Sequence, residues 1–186
     1  MESPLKSTRP PKRALKIALG HQARVGKDTF ADVVTKHLTA AQFAFADELK
    51  LLCADVQRSL GRPIVKDPML LQLLGEGLRH VYGSYVWITP TMRNIEEVIA
   101  ELPECSIVVT DLRYLDEALT LRAAGFTLIK IDRPDHPIDR DPTHPSEVGL
   151  VEGDFDYVVY NSGDMVQYVR MVEDLLAHLI GETFAQ

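Results

Sequence analysis

The chain has 186 residues, 46% of them apolar and 25% charged, with a formal net charge of −7, the proportions of an ordinary globular domain with a sizeable core. The acidity counts against bulk electrostatic binding to nucleic acid, no run of about 18 apolar residues is present to cross a membrane, and no signal-peptide core opens the chain. The two cysteines, Cys53 and Cys105, have no C-x-x-C motif or histidine cluster beside them, which speaks against a disulfide scaffold or structural zinc and for a cytoplasmic setting.

In chain order, "KSTRPPKRALK" concentrates basic residues. Residues 1–13 read as a flexible basic segment, with a binding arm as the other reading, ahead of one domain over 14–186. "ALKIALG" (14–20) is a short apolar run ending in glycine, a strand. "KDTFADVVTKHL" (27–38) spaces Phe30, Val33, Val34 and Leu38 as a helix does. "AQFAFA" (41–46) reads as a strand, and "DELKLLCADVQRSL" (47–60) as a helix with Asp47 as N-cap. "DPMLLQLLGEGLRHVYG" (67–83) is a third helix, broken near Gly75 and Gly77. "TPTMRNIEEVIAEL" (89–102) is a fourth. "SIVVTD" (106–111) is a buried strand, and "YLDEALTLRAAG" (114–125) a helix stopped by Gly125. "FTLIKIDRP" (126–134) and "FDYVVYN" (155–161) are strands, and "DMVQYVRMVEDLLAHLI" (164–180) is a closing amphipathic helix. Such alternation implies a mostly parallel sheet covered on both faces, with ligands beyond the carboxyl ends of its strands. Gly20, Asp111 and the vicinity of Arg133 should share that rim.

The chemistry centres on "LGHQARVGKDTFAD" (19–32), which resembles a phosphate-binding loop of form G-x-x-x-x-G-K-[ST] but departs from it twice. Five residues rather than four separate Gly20 from Gly26, and Asp28 follows Lys27 where a hydroxyl residue is usual. The physical requirements are still met. Backbone N–H groups and a helix N-terminus can point at an anion, and glycine allows close approach. Lys27 supplies a mobile charge, and Arg24 is a candidate second cation. Asp28 offers a hard oxygen suited to Mg2+, or simply an acid in the first helical turn. "SIVVTDLR" adds an apolar strand ending in aspartate, as in a Walker-B strand. Asp111 would orient Mg2+ or its water, accept a proton, or cap the next helix; Arg113 would face the transferred phosphoryl group. Two segments exceed what the fold needs. About 60 residues separate the second strand from "SIVVTD", where a crossover needs roughly 30, so a helical insert over about 47–105 is expected to hold an acceptor. The segment around 134–155 reads as a lid bringing Arg140, and with it His144, over the phosphates, unless Arg140 is merely a solvated charge.

"GKDTFAD", "FADELK", "LLQLLGEGLR" with "VWI", "VVTDLRYLDEA", "IDRP", "HPSE" and "FDYVVYN" occur in this order. Together they resemble the deoxynucleoside-monophosphate kinases of bacteriophages, over about residues 15–180. The resemblance implies a three-layer α/β P-loop kinase fold with a five-stranded sheet, an acceptor-binding insert and a lid. It implies transfer of the γ-phosphoryl group of ATP to a deoxynucleoside monophosphate, giving the diphosphate, with Mg2+. Asp28 is then the family's own spelling. Arg24, Val25, Gly26, Lys27, Asp28, Thr29 and Arg133 would bind ATP, and Asp28 and Asp111 would serve the metal. Asp47, Lys50, Gln72, Glu76, Arg79 and Arg113 would bind the acceptor, Arg79 through its phosphate. Trp87 would pack beside the acceptor base or lie in the core. His144, Ser146 and Glu147 would belong to the lid. Lys27, Asp111, Arg113 and Arg140 would be catalytic. Gly77 departs from the residue such proteins often carry there, which bears on substrate preference.

Arg79 has a plainer alternative, a surface pair with Glu76. At the level of function, two alternatives stand beside the kinase of free nucleotides. One is a kinase of hydroxymethylated pyrimidines within DNA, which the net acidity opposes. The other is a nucleotide-binding protein without catalysis, which Lys27, Asp111 and Arg113 oppose. A homodimer is left open.

Overall fold

The computed structural model describes residues 14–20, 24–134 and 149–181. The basic segment 1–13 and the lid residues Arg140, His144, Ser146 and Glu147 lie outside the described residues. Five strands are present, β1 (Lys16–Gly20), β2 (Ala40–Phe43), β3 (Ser106–Leu112), β4 (Thr127–Asp132) and β5 (Tyr157–Tyr160). With them are α1 (Lys27–His37), α2 (Ala46–Ser59), α3 (Pro68–Tyr82), α4 (Tyr85–Glu101), α5 (Leu115–Ala123) and α6 (Met165–Ile180). The strands form one sheet in the order β2-β3-β1-β4-β5, and every neighbouring pair is parallel. All carboxyl ends therefore meet at one rim, as the sequence pattern requires.

The layering follows from side-chain alternation inside continuous apolar strands. Ile17, Leu19, Val108, Ile129 and Ile131 pack on one face with Phe30, Val33 and Val34 of α1 and Tyr168, Val172 and Leu176 of α6. Ala18, Ile107, Val109, Leu112 and Leu128 pack on the other with Trp87, Ile88 and Ile95 of α4 and Ala118 and Leu121 of α5. Among the described residues, no helix is long and apolar enough to cross a membrane.

The strand β3 contains one irregularity that matters for the site. Ala18 pairs with Val109 but Gly20 pairs with Leu112, so β3 carries an extra residue at Thr110–Asp111. A bulge of this kind re-aims a side chain, and here it sits at the residue singled out from the Walker-B pattern. Opposite it, Gly20 is the last residue of β1 rather than part of a loop. A Cβ on Gly20 would lie 2.4 Å from the Phe155 ring, so glycine is required for close approach.

Three expectations about helices are corrected. Asp47 does not cap α2. The helix opens at Ala46, and Asp47 lies inside the first turn, its carboxylate accepting from the Ala44 N–H at 2.9 Å and from Lys50 Nζ at 2.7 Å. The helix α3 runs unbroken through Gly75 and Gly77; about 1 kcal/mol per glycine is too little to interrupt a helix seated on its neighbours, and Gly75 lets Leu49 approach closely. The helix α4 begins at Tyr85, not residue 89, and carries Pro90 inside it. An interior proline costs about 3 kcal/mol, but Trp87, Ile88, Thr91 and Ile95 form its buried face, and each large apolar side chain buried contributes about 1.5–3 kcal/mol. Burial therefore outweighs the proline. Similarly, β2 stops at Phe43 because Phe45 and Ala46 turn into α2. Helices α2, α3 and α4 thus fill the long segment between β2 and β3. The buried Gln57 side chain pins the turn between α2 and α3, donating to Val65 O at 3.0 Å and accepting from the Val65 N–H at 3.2 Å.

Candidate active site

At the sheet's carboxyl rim the chain passes from β1 into α1 through Arg24, Val25 and Gly26. Arg24 has φ 62°, the only positive φ at a non-glycine position among the described residues. Gly26 has φ 111°, a region natural to glycine alone. A Cβ there would lie 2.8 Å from Asn161 Nδ2 and 3.0 Å from the Tyr168 ring. These two residues also fix the loop from behind. Asn161 Nδ2 donates to Val25 O at 2.9 Å, and the Tyr168 hydroxyl donates to Gly26 O at 2.9 Å. With the carbonyls engaged by the residue after β5 and by α6, the peptide orientation of the loop is set by parts of the molecule that come late in the chain. Burial pushes the Tyr168 phenol well above its usual range, so it stays a donor. Tyr168→Phe keeps the ring and removes the bond; it is expected to cost about 1 kcal/mol, read as a lower midpoint in urea unfolding.

Lys27 and Asp28 form the first turn of α1, with Asp28 exposed and Thr29 half-buried. Arg133 is exposed immediately after β4. On the other side of β1, the bulged Asp111 directs its carboxylate at the start of α2. Oδ1 accepts from the Phe45 N–H at 2.8 Å and Oδ2 from the Ala46 N–H at 3.0 Å. Asp111 therefore caps α2, a helix more than 50 residues earlier in the chain, and not α5 as the sequence reading allowed. Burial pushes its carboxyl above the ordinary range; the two N–H donors and the Arg113 charge pull it back, while Asp47 pushes it up. Each oxygen keeps a further lone pair, so Asp111 can still serve a cation through water. Among the described residues no three His, Cys, Asp or Glu side chains gather into a metal cluster; a cation held mainly by phosphate oxygens and water needs no such cluster, and the hard oxygens of Asp28 and Asp111 fit Mg2+.

The helix α3 brings the predicted acceptor residues to this rim. Gln72 Nε2 donates to Glu76 Oε1 at 3.2 Å, so these two share a face. Arg79 is not the surface pair with Glu76 considered from sequence. Its side chain is only 18% exposed and forms an ion pair with Glu117 at 2.6 Å. It also donates to Ser84 O at 3.2 Å, and its guanidinium lies 4.0 Å from the centre of the Tyr114 ring, a cation–π geometry. Glu117 in turn accepts from the Arg113 and Tyr114 N–H groups at 2.9 and 3.1 Å. Burial and nearby Asp111 push the Glu117 carboxyl up, against the pull of these donors and of Arg79. Arg79 and the backbone of Arg113 are thus tied to one buried carboxylate.

Asp47 and Lys50 also reach the rim, paired with each other on the exposed first turn of α2. Of the two readings of Trp87, the structure matches the core one. Trp87 is buried, and its indole N–H donates to Gly75 O at 3.3 Å, making it a core residue that joins α4 to α3. Four residues of the site escaped the sequence reading: Glu117, Tyr114, Asn161 and Tyr168. Asn161 directly follows β5, and its position at a strand's carboxyl end was the available signal. Tyr168 sits on a core helix face, where its polar tip demands a partner.

No protein-family model matches the chain. A protein of Acanthamoeba polyphaga mimivirus, provisionally named a deoxynucleotide monophosphate kinase, is 27% identical over 173 residues, covering 79% of this chain and 88% of its own. Among solved structures, the Deinococcus radiodurans tunicamycin resistance protein superimposes with a TM-score of 0.54 at 15% identity, covering 94% of this chain and 99% of its own. The dephospho-CoA kinase of Campylobacter jejuni gives 0.51 at 10% identity, with 91% and 99% covered. A provisionally named kinase from Chloroflexus aurantiacus gives 0.51 at 14%, with 92% and 99% covered. With its wholly parallel β2-β3-β1-β4-β5 sheet and a glycine–lysine loop between β1 and α1, the chain has the three-layer α/β fold of the P-loop kinases.

Proposed function

We propose that the chain is a deoxynucleoside-monophosphate kinase, transferring the γ-phosphoryl group of ATP to a deoxynucleoside monophosphate. The observation that carries this reading is the convergence, on one rim, of the Gly26–Lys27 loop with Asp111, Arg113 and Arg79. The mimivirus relative's name points to the same acceptor class. In the reaction, a phosphate oxygen of the acceptor attacks the γ-phosphorus, the bond from that phosphorus to the β-bridging oxygen breaks, and ADP leaves. Such transfer depends on positioning and on stabilising negative charge. Lys27 and the α1 N-terminus would hold the ATP phosphates, with Arg24, Val25, Thr29 and Arg133 around them. Arg113 would face the transferred group, and Arg79 would bind the acceptor's phosphate beside Gln72 and Glu76. Bound Mg2+ would neutralise the β and γ oxygens, with Asp28 and Asp111 near it. Arg140 would close over the phosphates.

The test is Mg-ATP turnover against a panel of deoxy- and ribonucleoside monophosphates, with hydroxymethylated DNA in parallel. ADP formation dependent on a deoxynucleoside monophosphate is expected. Turnover on the DNA alone would replace this reading with the DNA kinase, and turnover on nothing would leave a binding protein.

Arg79→Lys separates the two subsites. A lysine concentrates its donors on one atom and lacks the planar fork that here spans Ser84 O and Glu117 and lies on the Tyr114 ring. Loss of one charge-assisted hydrogen bond, about 1.5–3 kcal/mol, should raise KM for the monophosphate about tenfold or more and leave KM for ATP in place. Steady-state kinetics varying each substrate in turn checks this; equal effects on both constants would remove Arg79 from the acceptor subsite.

A further inference from the structure

We infer that Glu117 is a positioning residue that sets Arg79 and Arg113 relative to one another, an inference resting on the kinase reading above. The residue is 1% exposed, and its carboxylate divides its two oxygens between two parts of the molecule. Oε2 accepts from the Arg113 and Tyr114 N–H groups at 2.9 and 3.1 Å, fixing the backbone that carries Arg113 past the end of β3. Oε1 accepts from Arg79 Nη2 at 2.6 Å, on a helix 38 residues earlier in the chain. Helix capping alone accounts for Oε2, since a glutamate at the third helical position commonly reaches back in this way. It does not account for Oε1. Nor does it account for a buried carboxylate placed where nearby Asp111 acts against its charge. Arg79 completes the arrangement: Ser84 O and Glu117 hold two corners of the guanidinium and Tyr114 lies against its face. Its remaining N–H groups are left with a fixed direction. Glu117 thereby couples the α2–α4 insert to the β3 end, so that the acceptor's phosphate is presented to Arg79 in register with the group facing Arg113.

The experiment uses Glu117→Gln in the full chain. A glutamine can keep its oxygen toward the α5 amides, but its NH2 then meets the Arg79 guanidinium donor to donor. Wild-type turnover with a deoxynucleoside monophosphate is measured first in the same assay. Its absence overturns the kinase reading and this role with it. Given wild-type turnover, Glu117→Gln is expected to raise KM for the monophosphate about tenfold, to move KM for ATP less than about twofold, and to add nothing further in an Arg79→Lys background, because both changes act through one guanidinium. An unchanged KM for the monophosphate, or effects that multiply in the double variant, overturns the role alone. Should Glu117→Gln fail to fold, Glu117→Asp keeps the charge but is one methylene short of spanning the helix amides and Arg79. The same split between the two KM values is expected of it, and its absence overturns the role equally.

Discussion

Lys27→Ala is expected to lower kcat about a hundredfold or more and to leave thermal stability where it was. The side chain stands at the first residue of α1, where the left-handed Gly26 delivers the chain into the helix. Neither Asn161 nor Tyr168, which hold the loop, bonds to it through their loop contacts, which go to the carbonyls of Val25 and Gly26. The truncated variant should therefore keep its loop. What it loses is a preorganised positive charge on the negative oxygens of the transition state, worth about 3 kcal/mol, or about two decades in rate. Burst-free steady-state kinetics at saturating substrates, with a thermal melt alongside, decides it. Turnover near that of the wild type would remove the phosphate-loop reading.

Asp111→Asn differs because the same carboxylate also opens α2. Asparagine keeps the shape, but its one carbonyl oxygen can satisfy only one of the Phe45 and Ala46 N–H groups, and its NH2 is turned against the other. An unsatisfied buried donor costs about 1–3 kcal/mol, so the melting temperature should fall by several degrees, where Lys27→Ala leaves it. Activity should collapse by a further mechanism, loss of the charge near the phosphates. Raising Mg2+ restores activity if the carboxylate only supports the metal, and restores little if it also takes a proton. An active enzyme with unaltered Mg2+ dependence would contradict both roles.

Features governed by short-range pattern were legible in the sequence. The apolar strand runs and helical spacing located the elements, and parallel connection placed Gly20, Asp111 and Arg133 at one rim. Features governed by a distant partner were not. The commitment of Asp111 to the α2 amides joins residues 65 and 66 positions apart, and the bulge that aims it exists only as a register between β1 and β3. Glu117 looked like one more acid in the first turn of a helix; its meaning lies in an arginine on α3. The glycines of α3 read as a break but cost too little to end the helix, and at Pro90 the buried face of α4 outweighed the local penalty. Trp87 carried no pattern to separate a stacking residue from a core one until α3 was seen against α4.

The latch of Asn161 and Tyr168 on the loop carries a consequence for the order in which the protein acquires its site. The loop emerges early in synthesis, while the side chains that orient its peptides follow 136 and 142 residues later. A nascent or truncated chain ending before α6 lacks the hydroxyl that holds Gly26 O. On the kinase reading proposed above, competence to hold a nucleotide would then arrive only with the closing helix.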